Sequence, residues 1–232
     1  MKTKSKKVID FEINQTNETI VSKNSEGIYM ITVIGNMKGG TGKSTLTFNL
    51  AVWYAWQEKS LCLLDLDPQK TFLDVVEVRQ EEGYEPGLPL PLGKEALEVL
   101  PKNVAEILID VSMTDEVSLE KAIKLADRVI VPVAPSQADI WSTQRFLKKI
   151  DTLCTDSLPE ILAVLNRADT HPFVPETKEA EEALDALSVK RLPVRLYNRA
   201  AYRRSFSEGL GVFELEQKSK AAQEFKKLAQ LL

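Results

Sequence analysis

"GNMKGGTGKSTL", residues 35–46, places three closely spaced glycines directly before a lysine and a serine. A β-branched run precedes these residues at 28–35, and a helical pattern of apolar residues follows at 43–58. A glycine-rich turn between a strand and a helix lets backbone N–H groups converge on an anion, at the positive end of the helix dipole. The stretch therefore predicts a P-loop, which holds the phosphates of a nucleotide. The strict pattern G-x-x-x-x-G-K-[ST] would place glycine where Met37 stands.

Each residue type in the loop has a chemical role. Lys43 is expected to supply charge to the β- and γ-phosphates, and the Ser44 hydroxyl to bind Mg²⁺. The alternative is a glycine-rich turn without a ligand, but the strand before it and the helix after it favour nucleotide binding. The predicted nucleotide-binding residues of the loop are Gly39, Gly40, Thr41, Gly42, Lys43, Ser44 and Thr45.

Short apolar runs alternate with longer helical patterns along the rest of the chain. This alternation is typical of βαβ units, and strands that are apolar nearly throughout are typical of a parallel sheet covered on both faces. We therefore predict an α/β fold like that of P-loop NTPases, with a mostly parallel central sheet and helices on both faces. Strands are predicted at 28–35, 60–66, 104–111, 127–133 and 160–166, helices at 43–58, 70–82, 117–126, 139–154, 176–187 and 216–232, and a loop at 83–95.

Composition limits the classes of protein to which the chain can belong. Of its 232 residues, 44% are hydrophobic and 28% charged, which is enough for one α/β domain, predicted at 28–232. Residues 1–27 are polar and are expected to form a flexible arm. We find no apolar run long enough for a transmembrane helix and no secretory signal, so a cytoplasmic location is expected. Two cysteines and one histidine suggest neither a disulfide framework nor a zinc site.

The segment "KGGTGKS", residues 38–44, resembles the deviant Walker A loop of the ParA/MinD family of dimerising ATPases. The resemblance covers most of residues 30–232 and is strongest to small ParA-type partition ATPases. It implies ATP and Mg²⁺ as cofactors and a homodimer that forms with ATP. It also implies that Lys38 reaches across the dimer to the phosphates of the partner's ATP, so Lys38 and Lys43 are both assigned catalytic roles.

Two further segments carry the resemblance. "DLDPQKT", residues 65–71, resembles switch I, in which Asp67 would orient the attacking water and help to hold the magnesium shell. Asp65 is the weaker candidate, and an ordinary Asp-Pro turn is the alternative. "ILID", residues 107–110, resembles a Walker B strand whose Asp110 binds Mg²⁺ through water. The predicted metal-binding residues are Ser44, Asp67 and Asp110. The "VSM" that follows Asp110 departs from the glycine, proline or small residues usual in the family.

The nucleoside end of the site is expected in two late segments. "VLNR", residues 164–167, resembles the family position at which an asparagine hydrogen-bonds adenine, and this assigns Asn166 to the base. "LPVR", residues 192–195, resembles the segment that packs on the base through Pro193. The alternative is an ordinary proline in a β–α connection.

A cationic segment suggests a second ligand. The net charge of −4 gives no support to general nucleic-acid affinity, but residues 190–204 contain six lysines and arginines and no acid. Clustered cations contact DNA phosphates without reading bases. A solvated or nucleotide-contacting face is the alternative. The predicted DNA-binding residues are Arg195, Arg199, Arg203 and Arg204. Arg199 and Arg203 are expected to lie one helical turn apart, and Arg195 is expected to extend this row.

The family resemblance, together with the cationic segment, implies an ATP-dependent dimerising ATPase of ParA type. It would bind DNA nonspecifically, associate with the nucleoid and partition or position a plasmid, a chromosome region or another cargo, with hydrolysis stimulated by a cargo-bound partner. One alternative is a MinD-like ATPase on a membrane surface, but the apolar side of 216–232 favours packing on the core over membrane binding. Another alternative is an accessory ATPase of conjugative DNA transfer. A soluble enzyme on the same scaffold, such as a biotin-pathway ligase or a metal-cluster carrier, is disfavoured.

Overall fold

The computed structural model describes residues 29–171, 173–187 and 189–232. The predicted arm, residues 1–27, lies outside this range. Strands and helices alternate along the chain, with a short 3-10 helix at Lys94–Glu98. The strands are β1 (Met30–Ile34), β2 (Leu61–Asp65), β3 (Glu106–Asp110), β4 (Arg128–Val133), β5 (Glu160–Ala168) and β6 (Lys190–Tyr197). The helices are α1 (Lys43–Trp56), α2 (Thr71–Glu82), α3 (Glu116–Leu125), α4 (Gln137–Leu153), α5 (Glu176–Ala186), α6 (Ala200–Ser207), α7 (Val212–Leu215) and α8 (Lys220–Ala229).

The strands form one parallel sheet in the order β2-β3-β1-β4-β5-β6. The last residue of β1, Ile34, pairs with Asp110 of β3, and Asp110 pairs with Asp65 of β2. In the sheet, β2 and β3 lie on one side of β1, and β4, β5 and β6 lie on the other side. The direction in which strands are added to the sheet therefore reverses at β1. In open parallel sheets, ligands bind beyond the carboxyl ends of the strands at such a point. The topology therefore places the P-loop and both candidate aspartate segments at one edge of the sheet.

Helices cover both faces of the sheet, as predicted. Successive β1 residues point to opposite faces, so Val33 lies in one apolar cluster and Ile34 in the other. The cluster around Ile34 includes residues of α1, α2, α7 and α8, and the cluster around Val33 includes residues of α3, α4 and α5. The prediction of a parallel sheet with helices on both faces is thus confirmed.

The sixth strand, β6, was missed in the sequence analysis. Its buried residues, Leu192 and Leu196, are separated by an even number of positions, as in a strand, but the intervening arginines and proline disguised the pattern. Pro193 therefore lies inside a strand, and its placement in a β–α connection was wrong. Since β6 is the last strand of the sheet, proline is tolerated there. Arg195 is also a strand residue, so it does not extend the helical row of Arg199 and Arg203.

The last helix packs on the core, which confirms that prediction. It is shorter than the predicted range 216–232. Phe225 stacks on Phe213 with ring centroids 5.5 Å apart, and Trp53 meets both rings edge-on. The apolar side of α8, none of it more than 4% exposed, consists of Ala221, Ala222, Phe225, Leu228 and Ala229. Within the ranges that the structure describes, we find no helix with the length and apolar character needed to cross a bilayer.

Candidate nucleotide-binding site

The P-loop leaves β1 at its carboxyl end and enters α1 at Gly42, the N-cap residue. Gly40 and Gly42 have φ values of 76° and 89°, in the left-handed region that favours glycine. A Cβ atom on Gly42 would lie only 2.5 Å from the Asn166 side-chain nitrogen. Gly42 is therefore required both by the backbone conformation and by the close approach of β5.

Two adjoining cavities border this loop. One, of about 490 Å³, lies between the P-loop and the segments after β2 and β3. The other, of about 280 Å³, extends toward β5, α6 and α8. Both are lined by Gly40, Gly42 and Thr45, so together they can hold a ligand with an anionic end and a second group. We call them the phosphate cavity and the nucleoside cavity.

Lys43 and Asp110 bring opposite charges to the phosphate cavity. The Lys43 ammonium donates to the Lys38 carbonyl at 3.3 Å. Burial lowers the pKa of Lys43, while the nearby Asp110 and Asp67 carboxylates oppose that shift. A lysine in this position is a fixed cation in a low-dielectric pocket, where its attraction to phosphate oxygens is stronger than in water.

Asp110, the last residue of β3, fits a metal-binding role. It is fully buried, and burial raises the pKa of its carboxyl group to about 7, although Ser44 and Lys43 offset part of this effect. Its Oδ2 atom has no hydrogen-bond partner within the described part of the chain. A buried carboxylate oxygen without a donor is a suitable ligand for a hard cation, and the neighbouring Ser44 hydroxyl adds an oxygen. These two residues therefore fit Mg²⁺.

Asp67 lines the phosphate cavity, and Asp65 holds the segment that carries it. The buried Asp65 carboxylate accepts one hydrogen bond from the Asp67 backbone N–H and another from that of Leu73, both at 3.0 Å. Burial is the main cause that raises the pKa of Asp65. Asp67 in turn accepts a hydrogen bond from the Gln69 N–H at 2.9 Å. Asp65 thus joins the start of α2 to the candidate switch I.

The segment after β3 also lines the phosphate cavity. Ser112, Met113 and Thr114 face it, and the hydroxyl groups of Ser112 and Thr114 lie 3.0 Å apart. The sequence analysis treated "VSM" only as a departure from the family pattern. In the structure this segment brings the hydroxyl groups of Ser112 and Thr114 to the cavity.

Lys38 does not point into its own phosphate cavity. Its ammonium lies 2.6 Å from the carboxylate of Asp139, in the first turn of α4. The Ser136 hydroxyl donates to the same carboxylate oxygen. Asp139 was missed in the sequence analysis because nothing in its local pattern distinguishes it from an ordinary acidic residue near a helix N-terminus.

Asn166 lines the nucleoside cavity, but Pro193 does not. The Asn166 side-chain nitrogen donates to the Thr41 carbonyl at 2.7 Å. In β6 the residues that line the cavity begin at Leu196, beyond the "LPVR" segment. Sequence reasoning missed Arg167 and Asn198, both of which line the nucleoside cavity.

The premise that the cationic segment 190–204 lacks acidic partners was wrong. Arg195 makes a two-point contact with Glu181 of α5, and Arg199 does so with Glu224 of α8. These acids are remote in the sequence and are brought to the segment by packing. Arg204 pairs with Glu208 within α6 and its immediate C-terminus. Arg203 is exposed and has no ion pair to any residue that the structure describes.

The chain is similar in sequence to known nucleotide-binding domains. The family model described as "CobQ/CobB/MinD/ParA nucleotide binding domain" matches residues 32–212. A curated relative, maintenance of carboxysome distribution protein A from Halothiobacillus neapolitanus, is 27% identical over 195 residues, which are 82% of this chain and 89% of the relative.

Two solved structures share the fold. A variant of McdA from Cyanothece in complex with ATP has a TM-score of 0.71 at 16% identity, with 90% of this chain and 98% of that chain covered. The septum site-determining protein MinD from Pyrococcus horikoshii, complexed with Mg-ADP, has a TM-score of 0.68 at 22% identity, with 88% and 96% covered.

Proposed function

The chain belongs to the CobQ/CobB/MinD/ParA family of nucleotide-binding domains, and on this premise we propose that it is a ParA-type ATPase that dimerises with ATP. Its cycle of ATP binding and hydrolysis would distribute a cargo. The observation that carries the proposal is the position of Lys38, the additional lysine of the P-loop. Its ammonium group lies outside the phosphate cavity of its own subunit. Lys43 is the cation among the described residues that line the cavity, so the phosphates of one subunit do not require Lys38, which would leave its pair with Asp139 to reach the nucleotide of a second subunit.

The chemistry proposed for the phosphate cavity is hydrolysis of the γ-phosphate. Phosphoryl transfer depends mainly on positioning and on electrostatic stabilisation of the phosphate oxygens. Lys43 would neutralise those oxygens, and Ser44 and Asp110 would hold Mg²⁺, which supplies further positive charge when bound. Asp67, held by Asp65 at the wall of the cavity, is the residue proposed to orient the attacking water.

The proposed dimer depends on the charge of the γ-phosphate. Lys38 on one subunit would contact the partner's ATP in an interface with little water, where the Coulomb attraction is large. Loss of the γ-phosphate removes that attraction, so hydrolysis favours dissociation.

We further propose nonspecific DNA binding through α6. Arg203 has no ion pair in the described chain, and Arg204 makes a surface pair with Glu208 in which the arginine side chain is 71% exposed. Exposed pairs of this kind contribute little, so a DNA phosphate can replace the glutamate at small cost. Arg195 and Arg199 are committed to less exposed acids and are less available. Binding through α6 would place the protein on the nucleoid.

The proposed cargo is a large assembly, a plasmid or a chromosome region, linked through a partner that stimulates hydrolysis. The relative from Halothiobacillus neapolitanus supports this class, since its name assigns it to carboxysome distribution and the match spans most of both chains. A membrane-surface role lacks support from α8, whose apolar side is buried against Phe213 and Trp53.

The test is size-exclusion chromatography with light scattering in Mg²⁺, with ATP, with ADP and without nucleotide. We expect a dimer with ATP only, and ATP-dependent retardation of unrelated DNA duplexes in gel-shift assays at low salt. Sedimentation with anionic liposomes, measured on the same preparation, separates the membrane alternative. A protein that stays monomeric with ATP, or that sediments with liposomes and ignores DNA, would contradict the proposal.

A further inference from the structure

We infer that Asn166 and Arg167 are positioning residues that hold the P-loop peptides in their phosphate-binding orientation before a nucleotide arrives. The inference rests on the proposed nucleotide binding and deepens it, because it gives the end of β5 a role toward the phosphates rather than toward the base. We call the two residues the β5 latch.

The β5 latch binds two successive carbonyl groups of the P-loop. The Arg167 guanidinium donates to the Gly40 carbonyl at 2.5 Å, and the Asn166 side-chain amide donates to the Thr41 carbonyl at 2.7 Å. Both contacts join residues more than 120 positions apart in the sequence. The loop and the end of β5 are thus joined by one charge-assisted and one neutral hydrogen bond.

Peptide planarity converts these contacts into a constraint on the neighbouring N–H groups. In a trans peptide the carbonyl oxygen and the following N–H point in opposite directions. With the Gly40 and Thr41 carbonyls turned toward β5, the N–H groups of Thr41 and Gly42 face away from it. Neither N–H donates a hydrogen bond within the ranges that the structure describes. Both therefore remain available to an anion, and the cost of orienting them is met before binding.

The backbone at the end of β5, where the β5 latch lies, departs from regular strand geometry. Arg167 has a φ of 57°, which is uncommon for a residue with a side chain, and the pairing of β5 with β6 shifts register between Leu165 and Ala168. Such outliers gather at functional sites, where the surrounding structure maintains them. The Arg167 N–H also donates to the Asn166 side-chain oxygen at 2.9 Å, so the amide presents its NH₂ group to the loop.

The same contacts leave Asn166 poorly placed to recognise a base. Its oxygen accepts from Arg167 and one of its two N–H bonds donates to Thr41, so the orientation of the amide is set by the loop. The nitrogen also lies against Gly42, close enough that a Cβ there would collide with it. Asn198 also lines the nucleoside cavity but makes no hydrogen bond to the P-loop among the described residues, so it is the matched comparison for a base-contacting amide.

The experiment measures the affinities for ATP, GTP and inorganic triphosphate by competition with a fluorescent nucleotide. If the latch orients N–H groups for phosphate, Asn166→Ala and Arg167→Gly should each lower the affinity for all three ligands about tenfold. A tenfold change corresponds to about 1.4 kcal/mol, the size of one net hydrogen bond. The ratio of ATP to GTP affinity should not change. Arg167→Lys keeps a donor and should retain most of the affinity. Asn198→Ala should leave the affinity for triphosphate unchanged.

Arg167→Gly also separates the latch from a merely structural role. Glycine adopts a φ of 57° without strain, and this relief offsets the loss of the Gly40 contact, so the variant should melt close to the temperature of the wild type while its phosphate affinity falls. A purely structural residue would lower both.

Two results would overturn the inference while the wild type still binds ATP. One is an Asn166→Ala variant whose ATP to GTP ratio changes with no loss of triphosphate affinity, because that identifies a base contact. The other is an Arg167→Gly variant with wild-type affinity for all three ligands. A wild type that binds ATP but never dimerises would refute the proposed function and leave the latch intact, whereas a wild type that binds neither ATP nor triphosphate would refute both.

Discussion

The ammonium group of Lys38 lies 2.6 Å from the carboxylate of Asp139, so the second P-loop lysine is paired within its own subunit. The lysine side chain is 39% exposed and the aspartate only 4%. If Lys38 reaches a partner's phosphate, it must leave a buried carboxylate, to which Ser136 is then the one side-chain donor among the described residues. In the proposed dimer, Asp139 and the partner's nucleotide would therefore compete for one cation.

The first prediction separates the two P-loop lysines. Lys38→Ala should retain ATP binding and lose ATP-dependent dimerisation, because in the proposed dimer the charge of Lys38 acts across the interface. Lys43→Ala should weaken ATP binding itself, because it removes the cation of the phosphate cavity. Nucleotide titration and light scattering measure the two effects. Since Lys38→Ala leaves Asp139 buried without its cation, the double variant Lys38→Ala/Asp139→Asn is the control. It should recover thermal stability but not dimerisation.

The second prediction concerns Asp139 alone. Asp139→Asn removes the competing anion, so the ATP concentration at half-maximal dimerisation should fall by about two- to fivefold, as expected for a partly exposed ion pair. Light scattering across an ATP titration gives this midpoint. Asp151→Asn, farther along α4, is the matched control for the change in net charge. An unchanged midpoint in Asp139→Asn would show that the pair does not oppose dimerisation.

The third prediction concerns hydrolysis. Asp67→Ala should bind ATP and dimerise but hydrolyse at least about tenfold more slowly, since a water-positioning group contributes only after ATP is in place. Phosphate release under saturating ATP measures the rate. Asp65→Ala should also slow hydrolysis, but it should lower the melting temperature as well, because two backbone N–H groups lose their acceptor. Wild-type turnover in Asp67→Ala would remove the assignment of switch I.

The fourth prediction tests the DNA surface. Replacing Arg203 and Arg204 together by alanine should weaken ATP-dependent binding to unrelated duplexes and reduce the log–log salt slope by about 1.8, at about 0.9 per phosphate contact. Arg195→Ala should have no such effect, because Glu181 already holds its guanidinium. Gel shifts over a salt series provide the slopes. ATP affinity is measured in parallel, since Arg203 also lines the nucleoside cavity.

The fifth prediction uses a buried acid at the opposite end of the sheet. Burial raises the pKa of Glu106, although the Thr32 hydroxyl, Lys59 and Arg128 lower it and Asp127 adds to the increase. The folded protein therefore holds this proton more tightly than the unfolded chain, so ionisation costs stability as pH rises above about 4.5, the ordinary value. Glu106→Gln should gain free energy of unfolding relative to the wild type as pH increases from 4 to 8 in urea denaturation. A difference that does not vary with pH would contradict the buried-acid account.

The amino-acid sequence by itself determined the P-loop, five of the six strands and the parallel arrangement of the sheet. These features depend on short-range patterns. Gly42 followed by Lys43 and Ser44 defines a phosphate loop within a few residues, and continuous apolar runs such as 104–111 mark strands buried on both faces. The strand β6 was not predicted because only one of its faces is buried. Its arginines and Pro193 interrupt the alternation of apolar and polar residues that would have indicated a strand.

The tertiary structure alone decided which charges have partners. Lys38 and Asp139 are 101 positions apart, and Asn166 is 125 positions from the Thr41 carbonyl that it binds. The sequence around Arg195 and Arg199 contains no acid. In the structure, α5 places Glu181 against Arg195, and α8 places Glu224 against Arg199. Local patterns report the periodicity of burial, because neighbouring side chains alternate or rotate regularly along an element. Hydrogen bonds and ion pairs depend on distances of about 3 Å between side chains from different elements, and only the packing of those elements sets such distances.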